Sequence, residues 1–262
     1  ALELTSTGQI TTAGSGSPAL LLQSIGGGGG AIQAIDNAIT TNLNLGASGG
    51  SNAGGNTVQL DHRDGVIATS GENAAGGVAQ SIGGGGGWSL LQSTTSTALG
   101  ASGLSDGSGA AITAQLNSNV LTSGNNSPAL VLQSIGGGGG YGGNSQGNLQ
   151  LGATNSSGNI SGGPIQVSLN GSLQTTGTNA PVVLIQSIGG GGGRAANAGG
   201  NASLGLSNNS STGSVDASAA EITVTVASSP FGLVSLGDES PALVAQSIGG
   251  GGGLVATVSG NA

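Results

Sequence analysis

The 262-residue chain has no cysteine, no methionine and only three aromatic residues, Trp88, Tyr141 and Phe231. Without cysteine, no disulfide staples the fold. Without large side chains, a broad globular core cannot be filled. What remains is Ala, Val, Ile and Leu beside 58 glycines, which fill a narrow core only. A solenoid has such a core, because each coil touches just its two neighbours. Basic residues are almost missing as well. Arg63 and Arg194 stand against ten acidic residues, for a net charge of −8. Nucleic acids and anionic membrane surfaces need a basic face, so both are disfavoured as partners. No run of 18 apolar residues is present, which argues against a transmembrane helix in this chain. No export signal is seen, and the chain begins in mid-pattern at Ala1. It reads as a segment of a longer or processed protein.

A chain rich in Gly, Ser and Asn invites a reading as disordered. Two features oppose it. Charged residues make up only 5% of the chain, whereas disordered chains carry many, and the 35% of apolar residues fall in alternating clusters.

Those clusters belong to a repeat. The octapeptide Gln-Ser-Ile-Gly-Gly-Gly-Gly-Gly occurs five times without change, at Gln23–Gly30, Gln80–Gly87, Gln133–Gly140, Gln186–Gly193 and Gln246–Gly253. Its starts lie 57, 53, 53 and 60 residues apart. Fixed periodicity of this length marks a repeat architecture, which offers long surfaces rather than one pocket.

Alignment on the octapeptide shows the rest of the unit. A short apolar strand precedes each copy, as in Pro18–Leu22, Pro128–Leu132 and Pro241–Ala245. Before it lies a turn-rich loop such as Gly14–Ser17, Ser70–Asn73, Ser123–Ser127, Thr176–Asn179 or Gly237–Ser240. Gly, Asn, Asp and Ser supply positive φ and local side-chain caps at such corners. Further upstream are period-2 strands, among them Gly8–Thr12, Val58–Leu60, Ile112–Leu116, Ile165–Leu169 and Ile222–Val226. Another strand follows each glycine run at a distance, as in Leu43–Leu45 and Leu149–Leu151. Alternation of this kind buries one face and solvates the other. No segment holds a helical period over ten residues. The expected fold is therefore all-β, a parallel β-solenoid, most economically a right-handed β-helix over residues 1–262. A unit of about 53 residues is expected to make two coils, or three, giving a rod of about ten coils and roughly 50 Å.

Three roles compete for the pentaglycine. It is a tight turn or wall with no room for Cβ, a smooth strip for another rod, or a flexible loop. The five glutamines, if stacked, form an amide ladder; otherwise they are solvent-facing. Ile25, Ile82, Ile135, Ile188 and Ile248 are expected to line up as an internal apolar column.

Candidate chemistry is sparse. His62 is the only histidine and sits in Asp61-His62-Arg63-Asp64, the densest charge cluster. An acid–base pair there is conceivable, but the cluster occurs in one unit only and reads as a solvated turn. Zinc would need more His or Cys ligands. Asp238 and Glu239 are adjacent yet gain no obvious partner, so paired-carboxylate hydrolysis has little support. The calcium-binding Gly-Gly-x-Gly-x-Asp nonapeptide is missing. No catalytic residue, cofactor site or metal site is assigned.

The run from Gly8-Gln-Ile-Thr-Thr12 to Gly30, and from Gly65-Val-Ile-Ala-Thr69 to Gly87, resembles the glycine-rich repeats of bacterial autotransporter passenger regions. The resemblance covers essentially the whole chain. It implies export through a Gram-negative outer membrane, a β-helical passenger, and a role in adhesion, aggregation or biofilm. It carries no binding residues, because the motif is structural. The expectation is thus a non-catalytic extracellular or cell-surface repeat protein. Its partners would be a host or cell-surface ligand, or copies of itself. The alternative is a structural subunit of an extracellular filament, built by stacking solenoid ends.

Overall fold

The computed structural model describes residues 1–32, 42–49, 52–90, 96–103, 106–155, 158, 160–206, 217–227 and 232–260. Every strand pairing among them is parallel, and the strands fall into four sheets. We call these layers A to D, in the order in which the chain visits them.

Layer A holds Leu2–Thr7 with Ile10–Thr12, Val58–Thr69, Ile112–Thr122, Ile165–Leu169 with Leu173–Thr175, and Ile222–Val226 with Leu233–Ser235. Layer B holds Leu20–Ile25, Gly77–Ile82, Leu130–Ile135, Val183–Ile188 and Leu243–Ile248. Layer C holds Gly29–Ile32, Gly86–Ser89, Gly139–Ser145, Gly192–Ala198 and Gly252–Val258. Layer D holds Leu43–Leu45, Ser96–Leu99, Asn148–Leu151 and Ala202–Leu204.

The register corrects the expected coil count. Each strand pairs with the same strand of the next repeat: Leu22 lies beside Ala79, Ala79 beside Leu132, Leu132 beside Ile185 and Ile185 beside Ala245. One repeat therefore makes one rung, not two coils. The five rungs span roughly 24 Å at about 4.8 Å each. The reason is the path of the chain. It does not wind twice around a small triangle, but folds back on itself within one rung, so that four layers stack face to face. Leu60, Ile67, Leu132 and Ile185 pack between A and B. Val78, Val131 and Leu184 meet Trp88 and Tyr141 between B and C. Leu99, Leu149 and Leu151 meet Ala195 and Ala198 between C and D.

This layering explains the two kinds of apolar pattern. Layer A has one face in water, and the burial of Ile112–Thr122 alternates accordingly. Layer B is covered on both faces, and all six residues of Leu130–Ile135 are buried. A doubly covered parallel strand reads as a continuous apolar run, as Leu130-Val-Leu132 does. Layer C gave no sequence signal. It begins inside the glycine run, and its later residues differ from one repeat to the next.

The corner from A to B is built alike in every rung. A hydroxyl at the end of A donates to a carbonyl five residues on: Thr12 to Ser17, Thr69 to Ala74, Thr122 to Ser127, Thr175 to Ala180 and Ser235 to Ser240. The turn needs a left-handed residue, supplied by Gly16, Asn73, Asn126, Asn179 and Glu239, with φ between 53° and 69°.

Candidate functional site

The invariant octapeptide is where the layers are tied together, and each of its residues has a distinct task. Gln23 donates through Nε2 to Gln80 Oε1 at 2.7 Å, and the same bond runs on to Gln133, Gln186 and Gln246. The amide ladder of the sequence reading is formed, and in rungs 2 to 4 its glutamines are fully buried. In the first four glutamines the second hydrogen of Nε2 reaches the carbonyl of the last glycine of its own run, at 3.2–3.4 Å for Gly30, Gly87, Gly140 and Gly193. The ladder therefore also holds the turn from B to C closed.

The serine points the other way, toward the segment that returns from layer D to the next rung. Ser134 Oγ donates to Ala110 O at 2.7 Å and accepts from Gly163 N at 2.7 Å. Ser81 and Ser187 clip the preceding and following crossings in the same manner. The five isoleucines form the apolar column expected of them.

The pentaglycine is the turn itself. In all five copies its second and third glycines have φ between 78° and 90°, and its fourth and fifth between 116° and 152°. L-residues avoid these conformations. The arches also bond to one another. Gly138 N donates to Gly83 O at 2.7 Å and Gly139 N to Gly85 O at 3.1 Å, and the other rungs repeat this. In rungs 2 to 4 the glycines are buried beneath the return segment and the end of layer D. A Cβ on Gly136 would lie 2.5 Å from Ser161 O, and one on Gly138 would lie 2.9 Å from the Gly100 Cα. Of the three roles considered for these runs, the crowded turn is the one observed.

The charge cluster is not the solvated turn expected of it: it lies within the strand Val58–Thr69, with Asp61 and His62 buried. His62 points into the core and is fully buried, with Nδ1 2.9 Å from the Ser6 hydroxyl, and its Nε2 has no partner among the described residues. Asp61 pairs with Arg63, whose Nε lies 2.8 Å from Oδ2. Asp64 takes φ 53° at an irregularity of layer A. Asp238 and Glu239 sit at the exposed corner of rung 5, far along the stack from Asp61 in rung 2. No group of three or more possible metal ligands occurs among the described residues.

A different cluster emerges at the first residue after each glycine run. Trp88, Tyr141 and Arg194 are register neighbours in layer C. The Trp88 and Tyr141 rings stack at 4.0 Å, and the Arg194 guanidinium lies 5.1 Å from the Tyr141 ring centre. All three side chains are fully buried. Among the described residues Arg194 meets no carboxylate. Instead Nη1 donates to the Tyr141 hydroxyl, and Nη2 donates at 2.8 Å to both the backbone and side-chain oxygens of Asn179. The Tyr141 hydroxyl donates in turn to Asn126 O at 3.2 Å. Alignment on the octapeptide already puts these three residues at one position. Nothing in the sequence says that the corner asparagines face them.

Beside this column lies a polar slot of about 220 Å³, between the corner loops and layer C. Asn126 and Asn179 form one wall, Asn144 and Asn197 the other, and Glu72 and Glu239 stand near its two ends.

Burial pushes the Tyr141 phenol above the ordinary tyrosine value, and the nearby Arg194 cation offsets this only in part. A raised folded value means that this stabilisation is fully present below about pH 10 and is lost as pH rises further. Tyr141 is the only tyrosine. Phenolate absorbance is therefore expected to stay flat past pH 10 while the fold persists, then to appear together with unfolding. A smooth titration near pH 10 in folded protein would show that the ring is solvated.

Comparison with protein-family models, with curated proteins and with solved structures finds no match for this chain.

Proposed function

We propose that this chain is a non-catalytic rod of a bacterial cell-surface or secreted repeat protein, an autotransporter-like β-solenoid passenger acting in adhesion, aggregation or biofilm. The observation that carries this reading is the one-repeat, one-rung register. Each repeat adds an equivalent slab whose sheets continue without a break. Length then scales with repeat number, and loops are set out at a fixed spacing of about 4.8 Å along the axis. A scaffold needs this, whereas a catalyst needs convergent groups. The surface chemistry agrees. One of the two arginines is buried, and the other is paired with Asp61. The exposed face is therefore neutral to acidic and suits neither nucleic acid nor an anionic bilayer.

The test is display of the chain on the outer membrane of a non-adherent Gram-negative cell. The expected result is faster settling and greater biofilm mass than with an unrelated β-solenoid displayed at equal density. Equal behaviour of the two would overturn the adhesive role. Fibres growing from the purified chain would instead favour a filament subunit.

A further inference from the structure

We propose that the slot between the corner loops and layer C binds a neutral, hydroxyl-rich ligand, a segment of a glycan chain lying along the rod axis. It goes beyond the rod reading and does not depend on it, since a rod without this site still spans distance.

Three observations carry it. The first is the chemistry of the walls. Asn179 Nδ2 donates to Asn126 Oδ1 at 2.6 Å, and Asn197 Nδ2 donates to Asn144 Oδ1 at 2.8 Å. These bonds leave the Asn126 and Asn144 amide nitrogens with no partner among the described residues. Two ranks of amides thus face one space. An amide both donates and accepts, as a sugar hydroxyl does.

The second is rigidity. Asn126 and Asn179 are 8% and 9% exposed, and their left-handed backbones are fixed by the corner. Arg194 grips Asn179 twice, and Tyr141 holds the Asn126 carbonyl. The amides are therefore ordered before a ligand arrives, which lowers the entropic cost of binding. This assigns the buried Arg194–Tyr141 pair a task that the rod alone does not require.

The third is shape and charge. Glu72 belongs to rung 2 and Glu239 to rung 5, so the slot runs for roughly 14 Å along the stack at about 4.8 Å per rung. No lining residue is apolar, which disfavours peptide side chains and lipid. A carboxylate near each end repels anions, uronates and phosphates included.

The test is a titration of the isotope-labelled full chain with cellotetraose, fully N-acetylated chitotetraose and tetragalacturonate, followed by nuclear magnetic resonance. At least one neutral tetramer is expected to shift the side-chain amide signals of Asn126, Asn144 and Asn197 at millimolar concentration, while tetragalacturonate does not. Asn197→Leu should weaken binding by at least about ten-fold, equivalent to one lost hydrogen-bonded contact. If that variant does not fold, Glu72→Gln combined with Glu239→Gln, both at exposed positions, should admit the anionic tetramer. Binding that ignores these changes, or amide signals that no tetramer moves, would overturn the site while leaving the adhesive rod untouched.

Discussion

Gly139→Ala is expected to destabilise the protein by more than about 4 kcal/mol, the range reserved for severe core lesions. Gly139 has φ 128°, and a Cβ there would sit 1.9 Å from Gly192 O. Two penalties add. A left-handed conformation costs an L-residue about 1–2 kcal/mol. The clash is with backbone, which has no rotamer to adopt, so the rung-to-rung spacing itself must open. Gly30 provides the control. It is the fifth glycine of its run rather than the fourth, with a similar φ of 138°, yet no described residue comes within 4 Å of its Cβ. Gly30→Ala should therefore show the conformational penalty alone, about 1–2 kcal/mol. Urea unfolding of the two variants separates strain from crowding. Equal losses would show that the rungs do not press on the glycines as described.

Gln133→Leu is expected to cost about 2–5 kcal/mol, because it strands polar groups on both sides. Gln133 accepts from Gln80 Nε2 and donates to Gln186 Oε1, both at 2.7 Å, in a region without solvent. Each orphaned buried group costs about 1–3 kcal/mol. Gln246→Leu orphans only the Gln186 donor, next to a half-buried position at the end of the ladder, and its loss should stay near the low end of that range, about 1 kcal/mol. Replacing all five glutamines by leucine leaves no orphaned ladder partner. That variant should lose much less than five times the single-site amount, since removing both partners of a buried bond is far milder than removing one. Strict additivity across the series would falsify the ladder as a coupled unit.

The sequence by itself settled the class of fold and much of its detail. Five identical octapeptides required equivalent positions, and alternation in Ile112–Leu116 required strands with one wet face. The shortage of aromatics required a thin core. The glutamine ladder and the isoleucine column followed from stacking identical residues in parallel register. The corner loops were equally legible, because Asn and Gly are the residues that best tolerate positive φ, although rung 5 places Glu239 at that position. Only the tertiary structure decided how many turns one repeat makes. Strand patterns report which face is buried but not which neighbour buries it, so Leu130-Val-Leu132 is compatible with a small coil or with an inner layer covered on both sides. The glycine run resolves that choice, since its left-handed residues fold layer C back onto B, and glycine carries no apolar signal from which the fold-back is read. The same fold-back brings Asn144 opposite Asn126, eighteen residues earlier in the chain. It also buries Arg194 against Asn179. Such proximity depends on the direction of one turn, a property of the packed backbone that the order of residues does not display.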